Sequence, residues 1–305
     1  ETADQKIHDK YAWRLFQIAF LLMSVDSIAT QGHPDRELVD LIWFPTGGGK
    51  TGAYLGLTAF AIFFRRLRFG EEQGGGTTVI MRYTLRLLTA QQFTRASTLI
   101  CACEFIRADA TSRRPRYGRY PLGKERITIG LWIGGKHTPN RNTVAKDCIN
   151  ELNHATGSEL WNKKERFNKF QVLKCPWCGT KLVKEDRTGN LVGQWGYAMA
   201  TNAHFELRCP TEACFFNSEG SLPVQVVDEE LYRCPPSLLF GTVDKFAMLP
   251  WHPEIGKFFG IGAKIRAPEL IIQDELHLIS GPLGTMVGLY ETAIDALCRE
   301  KGGAT

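Results

Sequence analysis

The residues whose types and spacing can do chemistry are two cysteine pairs, a glycine-rich loop ending in Lys-Thr, and two adjacent acids. Cys175-Pro176-Trp177-Cys178 is followed by Cys209-Pro210-Thr211-Glu212-Ala213-Cys214. Two short-spaced pairs on facing turns can set four thiolates tetrahedrally around Zn²⁺, and Gly179 after the first knuckle leaves room for N–H···S bonds. Four protein ligands make a closed, structural site. Other readings stay open: a ribbon that has lost its metal, free thiols, or His204 or Cys234 replacing a ligand without a partner at knuckle spacing.

The loop Thr46-Gly47-Gly48-Gly49-Lys50-Thr51 suits phosphate. Side chains at Gly47, Gly48 or Gly49 would obstruct backbone N–H groups aimed at the β- and γ-phosphates, and a following helix adds partial positive charge. Lys50 would neutralise phosphate charge and Thr51 would ligate Mg²⁺. The general motif G-x-x-x-x-G-K-[ST] fails at its first glycine, where Phe44 stands. Downstream, Leu270-Ile271-Ile272 leads into Asp274-Glu275-Leu276-His277. Adjacent carboxylates at the end of a buried strand permit a division of labour, with Asp274 holding Mg²⁺ and Glu275 orienting and deprotonating the attacking water.

Such groups need a strand-loop-helix frame. Apolar runs over 38–44, 77–83, 127–133, 238–243 and 270–274 read as strands covered on both faces, and 11–23, 51–67, 87–107 and 283–299 read as helices. Their alternation predicts an α/β parallel sheet. The pattern breaks between Gly135 and Pro236, so residues 1–135 and 237–305 are expected to form one domain, with 136–236 an inserted zinc-ribbon-like module. The chain of 305 residues is 44% apolar, enough for a real core, and its net charge of +5 permits nucleic-acid binding. The longest apolar run, 52–64, falls short of the roughly 18 residues that span a bilayer, and the polar start has no signal-peptide core. Nine cysteines, an odd number, without a secretion signal point to metal in a reducing, cytoplasmic setting.

Pro-Thr-Gly-x-Gly-Lys-Thr followed by Asp-Glu-x-His resembles the signature of superfamily 2 helicases and translocases, specifically their first RecA-like domain, a P-loop NTPase fold. In that family the first glycine is often replaced, which accounts for Phe44. The resemblance implies ATP and Mg²⁺ as cofactors and a catalytic set of Lys50, Asp274, Glu275 and His277. Arg14-Leu15-Phe16-Gln17 resembles the element whose glutamine reads the adenine edge, a role Gln17 would take. Thr84 to Gln91 is similar to the P-T-[RK]-x-L-x-x-Q motif on the nucleic-acid backbone, with Arg86 and Gln91 as contacts; it departs in having Tyr83 for proline and Leu85 between Thr84 and Arg86. Gly134-Gly135 matches the family's glycine pair, and Gly241-Thr242-Val243-Asp244-Lys245 its T-P-[DG]-[RK] element, placing Gly135, Thr242 and Asp244 at phosphates.

The stretches "FPTGGGKT" and "QDELHLISGPLGT", with a cysteine-bearing insertion between them, resemble the helicase subunits of DISARM antiphage systems. This implies ATP-driven engagement of DNA, single-stranded or with a single-stranded end, beside a partner subunit and with no membrane. A second RecA-like domain would have to close over ATP and supply an arginine finger, a group worth roughly 10³ to 10⁵ in rate. These residues alone are therefore expected to be inactive, a portion of a longer motor. A different reading is a non-motor DNA-binding or assembly module that uses ATP as a conformational switch. The ribbon can grip DNA or dock another subunit. The basic stretch 107–126, with Tyr117 and Tyr120, either extends the DNA face or is a solvated loop.

Overall fold

The computed structural model describes residues 12–43, 48–84, 86–154, 169–182, 196, 199–218, 220–279 and 282–299. In chain order the strands are β1 (Val79–Tyr83), β2 (Ile129–Trp132), β3 (Met199–Ala200), β4 (Phe205–Glu206), β5 (Val224–Gln225), β6 (Leu238–Thr242) and β7 (Leu270–Gln273). The helices are α1 (Leu15–Ala29), α2 (Lys50–Gln73), α3 (Arg86–Thr111), α4 (Asn142–His154), α5 (Phe215–Ser218), α6 (Asp228–Arg233), α7 (Val243–Phe246) and α8 (Pro282–Cys298). Five strands form one parallel sheet in the order β5-β2-β6-β1-β7, with Val79 opposite Leu238 on one side and Leu270 on the other.

Alternation along each strand divides the core between two faces. Val79, Met81, Tyr83, Leu131 and Phe240 pack toward Ile62, Phe93 and Ile100 of α2 and α3. Ile80, Trp132 and Leu239 pack toward Leu231, Phe246, Phe258 and Ile294. Strands β1, β2 and β6 are buried along their whole length, which is why their sequences are nearly unbroken apolar runs. Gly130 in β2 admits no side chain, because an added Cβ would stand 2.3 Å from Leu231 of α6.

The strand expected over 38–44 is not found in its described part. Residues 38–43 form no ladder, and Leu38, Val39, Leu41 and Trp43 are exposed. An apolar run registers a demand for burial, whereas a strand also needs a hydrogen-bonding partner and cover. Among the described residues nothing supplies these, although β7 ends the sheet with all four residues only half-buried. Helix α1 begins later than expected and likewise leaves Leu15, Leu22 and Met23 exposed.

Inside the interval read as an insertion, β5 is the edge strand of the main sheet, while β3 and β4 form a separate antiparallel pair. The cysteine-bearing part is continuous with the core beside α3. Phe105 of α3 stacks on Trp177 at 5.2 Å between centroids and meets Phe215 edge-on at 4.9 Å.

Candidate nucleotide and metal sites

Because all five strands run parallel, their carboxyl ends share one rim of the sheet, where ligands of open α/β sheets bind. Helix α2 starts at Lys50 on that rim, with Gly49 as its N-cap at φ +94°, a left-handed conformation that glycine adopts freely. The loop is tied to the N-terminal helix: Arg14 Nη1 donates to the Gly48 carbonyl at 2.6 Å and Gln17 Nε2 to the Gly49 carbonyl at 2.7 Å. Gln17 Oε1 in turn accepts from the Arg14 amide at 2.8 Å. Gln17 therefore braces the loop, and the adenine contact expected of it would exchange these bonds. Its packing also fixes Gly52, where a Cβ would come within 2.7 Å of Gln17 Nε2. Phe44, Thr46 and Gly47 lie outside the described residues.

Thr51 and Asp274 are brought together by a residue that sequence reasoning missed. The Tyr54 hydroxyl donates to Asp274 Oδ2 at 2.9 Å and lies 3.1 Å from the Thr51 hydroxyl. The signal was present, since Tyr54 is three residues from Thr51 and so on the same helix face. Burial and then the Asp274 charge raise the Tyr54 pKa, keeping its proton on the phenol. Two hard oxygen donors converging on one hydroxyl are a set that suits Mg²⁺. Asp274 Oδ1 accepts from the Glu275 amide at 2.9 Å, and Glu275 adopts φ +51°. A non-glycine residue there costs on the order of 1–3 kcal/mol. His277 Nδ1 lies 3.4 Å from Glu275 Oε2 and is well exposed.

The expected nucleic-acid residues divide into two groups. Gly134, at φ +99°, is adjacent to Lys245: a Cβ on it would lie 3.7 Å from Lys245 Cε. The glycine pair and the 242–245 turn therefore meet at the ends of β2 and β6, where Trp132 is opposite Gly241. Thr242 is fully buried with its hydroxyl unpartnered, so its part in any phosphate contact falls to the backbone, while Asp244 is exposed. Arg86 and Gln91 fall in the first turns of α3, after β1; their side chains lie outside the described residues.

The basic loop is elsewhere. It precedes β2, so it sits at the amino ends of the strands, opposite the rim just described. Arg107 and Arg126 are consumed in ion pairs to buried Glu104 at 2.7 and 3.3 Å. Arg113, Arg114, Arg116 and Arg119 remain exposed. Of the two readings of this loop, an extension of the DNA face or a solvated loop, topology favours the second, because loops before and after a parallel strand emerge at opposite ends.

Cys175, Cys178, Cys209 and Cys214 form a cluster with all four sulfurs within 4.8 Å of one another. Cys175 Sγ is 4.0 Å from Cys214 Sγ, and Cys178 Sγ is 3.4 Å from Cys209 Sγ. Tetrahedral Zn–S bonds would set sulfurs about 3.8 Å apart, so the set can hold such a metal. Thr180 and Thr211 join the two knuckles through hydroxyls 2.8 Å apart. At Cys178 burial opposes ionisation, but Thr180 hydrogen bonds and the neighbouring thiols outweigh it and bring the pKa down to about 6. Burial pushes Cys214 up to about 11 and raises Cys175 further. His204 is not a ligand here: it lies between Glu206 and Glu230, at 2.8 and 3.1 Å. Cys234 is free and exposed, outside the cluster.

A helix-opening Gly-Lys-Thr turn and an Asp-Glu turn on one rim of an all-parallel sheet make this an α/β protein of the phosphate-loop class, with a four-cysteine centre packed on its flank. No protein-family model matches the chain. It is similar to the DISARM protein DrmA of Bacillus paralicheniformis, 37% identical over 325 aligned residues that take in 93% of this chain. The chain spans about a quarter (27%) of that relative's length. No helix among the described residues is long and apolar enough to cross a membrane.

Proposed function

We propose that the chain is the first motor domain of an ATP-dependent DNA translocase or helicase acting in DISARM-type antiphage defence. The observation that carries this reading is the Thr51–Tyr54–Asp274 bridge, which gathers the two proposed Mg²⁺ ligands from distant parts of the chain onto the rim that also bears Lys50 and Glu275. Bound MgATP would supply the phosphoanhydride and the cation that withdraws its charge. Arg14 and Gln17 fix the loop carbonyls, Lys50 and the first amides of α2 receive phosphate charge, and Glu275 holds and deprotonates water, oriented by the Asp274 turn and by His277.

DNA would run past Gly134-Gly135 and the 242–245 turn, held through its backbone. A second RecA-like domain of the full-length protein and a partner subunit of the defence complex would complete the machine, in the cytoplasm. Zn²⁺ in the four-cysteine centre would be structural.

The test is ATPase activity of the full-length protein with and without single-stranded DNA. We expect stimulation by DNA, reduced on the order of 10²-fold or more by Lys50→Ala or Glu275→Gln. DNA binding without stimulated turnover would replace the motor with the nucleotide-switch module.

A further inference from the structure

Beside the glycine pair the rim opens into a cleft of about 670 Å³ whose lining includes buried polar residues that the ATP chemistry does not use. Asp228, at 3% exposure, shares one oxygen with Lys245 Nζ at 2.8 Å, while its Oδ1 has no donor. Asn142, at 4% exposure, likewise leaves its side-chain oxygen unpartnered. Leaving such an atom unmatched costs on the order of 1–3 kcal/mol each, so two in one cleft mark it as a place built to receive donors. One wall is the half-buried Tyr232, whose ring is fixed by a hydrogen bond from Trp132 Nε1 at 3.0 Å and by Phe258 at 5.5 Å. Asn202 and Ala203, from the turn between β3 and β4, also line it.

We propose that this cleft binds a nucleobase bearing an exocyclic amine, its N–H groups on Asp228 and Asn142 and its ring against Tyr232. Both open atoms are acceptors, so they match cytosine, adenine or guanine, whereas thymine offers one N–H flanked by carbonyls. Bases splayed from a single strand are commonly held by stacking on an aromatic and by hydrogen bonds on their pairing edge. The cleft adjoins Gly134 and Lys245, so a strand tracked by its phosphates would pass its entrance. Delivery by a strand rests on the DNA reading above; the base chemistry does not, and a free nucleotide presents the same groups.

Fluorescence anisotropy of labelled oligo(dC) and oligo(dT) with the full-length protein, at one fixed salt concentration, tests this, with cytidine monophosphate titrated separately. Oligo(dC) should bind about tenfold more tightly than oligo(dT), the factor that corresponds to about 1.4 kcal/mol. Asp228→Asn should erase the difference and leave oligo(dT) unchanged. Should that variant fail to fold through loss of the Lys245 pair, Asn142→Ala removes an oxygen that has no partner to lose and should reduce the preference severalfold. Equal binding of the two oligonucleotides, or a preference untouched by either variant, overturns the cleft while DNA binding stands. If neither oligonucleotide binds but cytidine monophosphate does, and Asp228→Asn loses it, the DNA reading falls and the cleft is a free-nucleotide site. If neither ligand binds, both fall.

Discussion

Tyr54 shows how a residue outside any motif can organise one. Its hydroxyl links Thr51 to Asp274, at 3.1 and 2.9 Å. Tyr54→Phe preserves the ring's packing and removes that link. The expected outcome is a nucleotide affinity that drops severalfold in Mg²⁺ yet is unchanged in EDTA, measured by calorimetry; an equal loss in both conditions would make Tyr54 a plain packing residue. The lysine, threonine and acids were legible in the sequence because phosphate and metal chemistry restrict residue type and spacing. Tyr54 offered only its i+3 spacing from Thr51, a weak signal, since phenols on amphipathic helices are ordinary core residues until a distant carboxylate is placed beside one. Thr242 illustrates the converse: its motif suggested a place at phosphate, and because a residue ending a central strand is buried by the layers on both sides, its backbone rather than its hydroxyl is the group available there.

At the scale of elements, the cysteine knuckles are tied to α3 by Phe105, Trp177 and Phe215, so metal loss should be felt beyond the knuckles. Cys178→Ser should reduce bound zinc well below one per chain and lower the thermal midpoint of the whole domain, as read by metal analysis and calorimetry. A midpoint unchanged after zinc loss would show that the cysteine knuckles do not support α3. Protons compete with metal for the thiolates. The Cys178 pKa is brought down to about 6 while burial raises those of Cys175 and Cys214, so the affinity for a bound metal should rise with pH and fall in acid. Extraction by a chelator should be faster at about pH 5 than at about pH 8. In β2, Gly130→Ala forces a methyl onto Leu231 and Pro236 and should cost about 1–3 kcal/mol in denaturant melts. Four of the five strand positions were readable as apolar runs; β5 is two residues long and carries no period at all. The run at 38–43 was misread because composition records the wish for burial and not the partner that grants it.

Taken as a whole, the molecule places Lys50, Thr51, Asp274 and Glu275 on one rim and the basic loop on the other, an arrangement set by the parallel sheet and invisible to charge counting. Converting Arg113, Arg114 and Arg116 to Glu should therefore leave the salt dependence of DNA binding nearly unchanged, whereas disturbance at Gly135 should weaken it. The central claim is that the rim bearing Lys50, Thr51, Asp274 and Glu275 holds ATP. Direct titration of the full-length protein with ATP in Mg²⁺ addresses it most simply. Lys50→Ala should lose at least about tenfold in affinity, or about 1.4 kcal/mol, while Glu275→Gln binds as the parent does. Equal affinity in the parent and Lys50→Ala would contradict it.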